Sequence, residues 1–172
     1  MRARTIPGGF LFDAVGVVML VAGPAMVARA AWGRKEIRGE LATQEITFPD
    51  ESRLPTGLTS FAGQRVETGP QARAYADLIK SNLAGTTAGR TYAQLGAELA
   101  AVRADGGEDE KLTELQRTAF TGEMLRASLM SAYQAWQVTL LAGALGALFT
   151  GLGAALLTAR GSTAGLRRPD VG

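Results

Sequence analysis

The chain contains neither cysteine nor histidine. Without cysteine there is no disulfide framework, no thiolate nucleophile and no sulfur ligand for a metal. Without histidine, the side chain that most often serves as general base near neutral pH is missing. So is the usual nitrogen ligand of zinc, copper and non-haem iron. Catalysis would have to be built from Asp, Glu, Lys, Tyr and Ser alone, and no metal, cofactor or catalytic constellation is expected. Aromatic residues are only 6% of the chain and the formal net charge is only +2. No basic run is interleaved with aromatics, so nucleic acid is not an expected partner.

What the sequence does hold is hydrophobicity, 47% of 172 residues, gathered into two blocks near the ends. The first is "FLFDAVGVVMLVAGPAMVARAAW", residues 10–32. The second runs from Ala135 to Leu157 without a charge, and its only strongly polar residues are Gln137, Thr139 and Thr150. A surface helix would show a polar position every third or fourth residue. As helices, blocks of this length measure about 34 Å, enough for a hydrocarbon core of roughly 30 Å. The expected layout is a cytoplasmic tail (1–9), a transmembrane helix (10–32), an extracytoplasmic domain (33–132), a second transmembrane helix (133–158) and a disordered cytoplasmic tail (159–172). The fold class is an all-α membrane protein. Two transmembrane helices flank a mostly helical domain that includes a short irregular or extended segment.

The first block also resembles a secretory signal, with Arg2 and Arg4 ahead of it and Ala28-Arg29-Ala30 near its end. Its apolar run exceeds the roughly 7–15 residues of such a signal, and Asp13 interrupts it. It therefore reads as an uncleaved anchor in the cell membrane. The basic tails, with Arg2 and Arg4 at one end and Arg160, Arg167 and Arg168 at the other, favour the cytoplasm for both termini. Arg29, Arg34, Lys35 and Arg38 crowd the opposite end of the first span, but a long loop is translocated largely regardless of charge. Trp32, Tyr133 and Trp136 are the interface aromatics of this layout, all at the outer side.

Between the spans, the Pro- and Gly-rich stretch 47–70 is irregular or short extended structure. Gly69-Pro70 opens a helix with Ala72, Tyr75, Ile79 and Leu83 on one face and Gly85 as its stop. Thr91 and Gln94 have capping-box spacing and start a second helix, whose stripe is Tyr92, Leu95, Leu99 and Val102. "ADGG" (104–107) ends it. From Glu110 a third helix, with Leu112, Leu115, Ala119 and Met124 on one side, continues unbroken into the second span. The first span likewise extends through "GRKEIRGEL", where Ile37 and Leu41 are one turn apart. These extensions form a stalk carrying a small helical cap.

Four features are candidates for function. "GTTAGRT" (85–91) resembles a phosphate loop, but its glycines are one residue too close and Arg90 stands where lysine is required. A helix-to-helix connection explains it better. "EDEK" (108–111) reads as a solvated helix start, since consecutive acids lack calcium-site spacing. Asp13 is an intramembrane acid, yet it lies only about one turn from the cytoplasmic end, where its carboxylate reaches the headgroups. In the second span Gly143, Ala147, Gly151 and Ala155 form a helix-packing ridge, with Ala142, Gly146, Thr150 and Ala154 as a second ridge beside it. Ala14, Gly16, Ala22 and Gly23 are the small residues of the first span, and Pro24 is a candidate kink. Small residues let backbones approach closely where lipid offers no hydrophobic gain, so these ridges point to the first span or to a partner helix.

The segments "GQRVETGPQARAYADLIKSNL" (63–83), "GRTYAQL" (89–95) and "LRASLMSAYQAWQV" (125–138), running into the last span, resemble a family of small uncharacterised two-span membrane proteins of actinobacteria. The resemblance covers most of the chain from Glu45 onward and implies a membrane location and this layout, with no activity or cofactor attached. Members often bear the name of an aromatic ring-opening dioxygenase. Such enzymes commonly hold iron with two histidines and a carboxylate, which a chain without histidine or cysteine does not supply.

The functional expectation is a non-enzymatic accessory subunit or scaffold in the bilayer, packing against another membrane protein or itself. The alternative is a cell-envelope ligand binder or enzyme using Tyr75, Lys80, Arg90 and Tyr92. A pore is disfavoured, because only Asp13 and Arg29 interrupt the spans. Mass spectrometry of the membrane-extracted protein is expected to find a chain that begins ahead of Ala31. A mature N-terminus at Ala31 would make the first block a removed signal.

Overall fold

The computed structural model describes residues 8–165, and among them the fold is all-helical. Helix α1 is Gly8–Thr43 and α2 is Gly69–Thr86. Helix α3 is Tyr92–Ala104 and α4 is Glu110–Gly165, 56 residues without interruption. Two short 3₁₀ turns, Glu51–Arg53 and Thr56–Phe61, occupy the segment between α1 and α2. Helices α1 and α4 are each long and apolar enough to cross a membrane. The charged tail residues Arg2, Arg4, Arg167, Arg168 and Asp170 lie outside the described residues. Helix α4 continues to Gly165, beyond the boundary expected at 158.

The chain divides into two compact units. One joins the part of α1 up to Lys35 to the part of α4 from Val138. The other is Glu36–Gln137.

In the second unit, local chemistry sets where each helix begins. Thr68 accepts from the backbone N–H of Gln71, and the Gln71 side chain accepts from the backbone N–H of Thr68, closing a capping box ahead of α2 with Pro70 in its first turn. Thr91 and Gln94 do the same for α3. The carboxylate of Asp109 accepts from the N–H of Leu112 at 2.9 Å and caps α4. Each device satisfies N–H groups that the first helical turn leaves without partners.

The irregular segment folds back on itself. The N–H of Phe48 donates to Gln64 O and that of Val66 to Ile46 O, both at 2.9 Å, around an isolated bridge between Thr47 and Arg65. Gly63, at φ +66°, makes the turn that residues with a Cβ rarely adopt. This arrangement buries Phe48 and Val66 against Leu41 of α1, Ala72, Ala76 and Leu78 of α2, and Leu129 of α4. Phe48 stacks on Phe61 (5.2 Å) and meets Tyr75 edge-on (5.1 Å). A second cluster joins Leu95 and Leu99 of α3 to Leu112 and Ala119 of α4.

Three sequence expectations need correction. Gly85 does not stop α2, which runs on to Thr86; the left-handed residues that reverse the chain are Ala88 (φ +52°) and Gly89 (φ +77°). Tyr92 is exposed instead of joining the α3 stripe, its ring 5.7 Å from Phe120. Met124 is also exposed, because α4 turns Ala119 and Leu129 inward and not the residue between them. Leu95, fully buried, is therefore the residue on which the α3–α4 contact rests. Leu95→Ala is expected to cost about 2–5 kcal/mol, and Tyr92→Ala about 1 kcal/mol or less. Urea unfolding of the detergent-solubilised protein measures both.

Candidate functional site

In the apolar unit the two helices run antiparallel, as successive contacts show. Gly16 meets Leu157 and Gly153, Gly23 meets Gly146 and Thr150, Ala30 meets Gly143, and Gly33 meets Thr139. The α1 residues Gly16, Gly23 and Ala30 are spaced by sevens, as are Thr139, Gly146 and Gly153 of α4. That is the period which keeps one face of a helix on its neighbour over several turns. The backbones come so close that a Cβ on Gly23 would stand 2.6 Å from the carbonyl oxygen of Gly146. One on Gly153 would stand 2.7 Å from that of Gly16.

The small-residue ridges are thus divided between two surfaces. Gly146 and Thr150, from the second ridge, lie in the seam, and the Thr150 hydroxyl donates back to Gly146 O at 2.8 Å. Gly143 touches Ala30 at its edge. Ala147, Gly151 and Ala155 are exposed, and a Cβ on Gly151 would meet nothing within 4 Å. In the first span Gly16 and Gly23 are buried in the seam, whereas Ala14 and Ala22 line a shallow apolar hollow with Val15, Val18 and Phe149. Helix α1 is continuous through Pro24. Asp13 lies half-buried in the second turn of α1 and is not without a partner.

The aromatics expected at an interface are held in different ways. The guanidinium of Arg29 sits 5.2 Å over the exposed Trp32 ring, a cation–π contact. Tyr133 accepts from Arg73 at 3.1 Å and from the Gln137 amide at 2.7 Å, with Arg73 also 5.2 Å over its ring. The hydrogen bond to Tyr133 raises the pKa of Arg73 above its already high value. Trp136 packs on Gly69, where a Cβ would come within 2.5 Å of the Trp136 Cβ and Cγ.

The residues named for a ligand role fall into two hollows. Tyr75 lines one of about 600 Å³ that is walled mostly by apolar groups such as Ile37, Leu41, Ile79 and Leu129. Lys80, Arg90 and Tyr92 line another, of about 500 Å³, where α2, the following loop and α4 meet. That loop is the "GTTAGRT" segment. Thr87 is buried in it, with its hydroxyl 2.7 Å from Arg90 O, while Arg90 donates from Nε to Thr87 O (3.0 Å) and pairs with Glu98 (2.8 Å). Two residues of this hollow were missed in the sequence: Arg126 and Glu123 of α4, paired at 3.0 Å. A mid-helix Arg/Glu pair carries no signal of the loop it faces. The acidic run Glu108 to Glu110 lies by Arg103 and Leu99, and among the described residues no three metal-binding side chains come together. No family model, curated protein or solved structure matches the chain.

The seam geometry predicts crosslinking on a background already free of cysteine. A Cβ on Gly143 would lie 3.5 Å from that of Ala30, within disulfide range. The Ala30→Cys/Gly143→Cys pair is expected to oxidise to an intramolecular disulfide. Adding Gly153→Leu should cut the yield severalfold, whereas Gly151→Leu should leave it unchanged. Gel mobility with and without reductant measures both.

Proposed function

We propose that the chain is a non-enzymatic integral membrane protein that acts as an accessory subunit or scaffold. Its two apolar helices hold it in the cell membrane with both termini in the cytoplasm, and its helical unit faces the outside. One observation carries this reading. Many large apolar side chains of the two spans point away from the seam: Val18, Val21, Leu141 and Leu148 are all more than half exposed. Only 11% of each apolar window is buried within the protein. A core helix of a soluble protein would be mostly buried, and so many exposed leucines and valines facing water would be unfavourable by about 25 cal/mol per Å². Lipid removes that cost. The resemblance to two-span actinobacterial proteins supports the same layout. On this reading the exposed ridge of Ala147, Gly151 and Ala155 remains free for a helix of another chain, or of a second copy.

A second reading, that the helical unit binds a ligand, is favoured by the hollow that gathers Lys80, Arg90 and Tyr92. Converging polar groups in a concave site are what a binder needs.

The orientation is tested with single cysteines. Ser60→Cys, exposed in the second 3₁₀ turn, is expected to react with a membrane-impermeant maleimide in intact cells, and Ser162→Cys only after permeabilisation. The reverse pattern would invert the topology. Release of the unlabelled protein by alkaline carbonate would reject membrane insertion altogether.

A further inference from the structure

We infer that the hollow between α2, the α2–α3 loop and α4 binds an organic phosphate monoester. The inference deepens the ligand-binding reading above and is independent of the membrane reading. Three cationic side chains, Lys80, Arg90 and Arg126, line this hollow against one carboxylate, Glu123. Glu98 reaches Arg90 without being part of the wall. Lys80 forms no ion pair among the described residues.

Arg126 adds a separate sign. Its Nη1 is occupied by Glu123, but its Nε is buried and has no hydrogen-bond partner among the described residues. Buried polar groups are nearly always satisfied, so such a donor calls for a water, an ion or a small movement that brings a ligand within reach. Guanidinium groups suit this role, because their fixed donors match the oxygens of phosphate and carboxylate.

Charge and shape then narrow the class. With Glu98 on Arg90 and Glu123 on Arg126, the three cations keep an excess of one positive charge, centred on the unpaired Lys80. A phosphate monoester carries about −1.5 to −2 near neutral pH and offers three terminal oxygens to three cationic groups, where a carboxylate offers two. Leu83, Ala84 and Ala119 supply an apolar wall and Tyr92 an aromatic one, so the phosphate has a compact organic group attached. The volume of about 500 Å³ lies within the range of small-ligand sites.

The test uses the full chain in phosphatidylcholine nanodiscs, with phenyl phosphate as probe and calorimetry as readout. Saturable binding above empty nanodiscs is expected, displaced by excess inorganic phosphate and weakened by added salt. Lys80→Glu should weaken it roughly tenfold or more, and Arg90→Gln likewise, with unchanged helical circular dichroism. Lys35→Gln, outside the hollow, should leave it unaltered.

Phosphatidic acid, a lipid phosphate monoester, added to the nanodisc separates the two sources of the phosphate. Loss of phenyl phosphate binding, with lipid retained in native mass spectra, assigns the site to a lipid headgroup. Undiminished binding assigns it to a free solute. Benzoate binding as tightly as phenyl phosphate would overturn the phosphate class while keeping a ligand-binding hollow. Binding of neither anion, or equal binding by Lys80→Glu, would overturn the site itself, and membrane extraction would be unaffected by either result.

Discussion

The contact on which the apolar unit depends is one between backbones. At Gly23–Gly146 neither helix has room for a Cβ, and a Cβ on Gly153 would stand 2.7 Å from the carbonyl oxygen of Gly16. Dispersion between backbone atoms at that range is cumulative, and it does not require water to be displaced. Many bulky residues accordingly lie outside the seam, while Leu157 and Val27 pack against its glycines. The same two helices continue covalently into the other unit. There α1 contributes Leu41 and α4 contributes Leu129 to an ordinary hydrophobic core. Each long helix therefore follows two packing rules along its length.

The helical unit shows how little regular structure a stable segment requires. Residues 44–68 have one isolated bridge and two 3₁₀ turns, yet Phe48 and Val66 are almost completely buried. Their burial, together with the aromatic contacts of Phe48, replaces the hydrogen-bond ladder that a sheet would provide. Charge is distributed differently. The ion pairs Arg53–Asp50 and Arg65–Glu45 are exposed and contribute little. Those of Arg90 and Arg126 are more shielded and stand around a hollow.

Much of this was legible in the sequence, for physical reasons that can be named. The start of α3 was readable because a capping box needs only two residues three apart. The box at Thr68 and Gln71 has the same spacing, three residues apart, and overlaps the Gly69-Pro70 signal for the same helix start. The unbroken α4 was readable because nothing between Leu112 and Trp136 opposes a helix. The seam was harder. In a span so rich in glycine and alanine, several small-residue stripes coexist, and only the partner helix decides between a repeat of four and a repeat of seven. Tyr92 and Met124 have helical spacing, but the buried part of the α3–α4 contact is narrow: Met124 is exposed, and Tyr92 meets the exposed ring of Phe120. Lys80, Arg90 and Tyr92 could be nominated from residue type, whereas Arg126 joins them only through the tertiary fold.

Position 69 illustrates how a single residue can be constrained from several directions. It begins α2, precedes a proline that fixes the chain's direction, and lies against the Cβ, Cγ and Cδ1 atoms of Trp136. Even a methyl group there would lift the first turn of α2 away from α4. The register of one helix along the other is therefore set by a bare Cα, and the ring above it acts as a gauge of how near two helices are allowed to come.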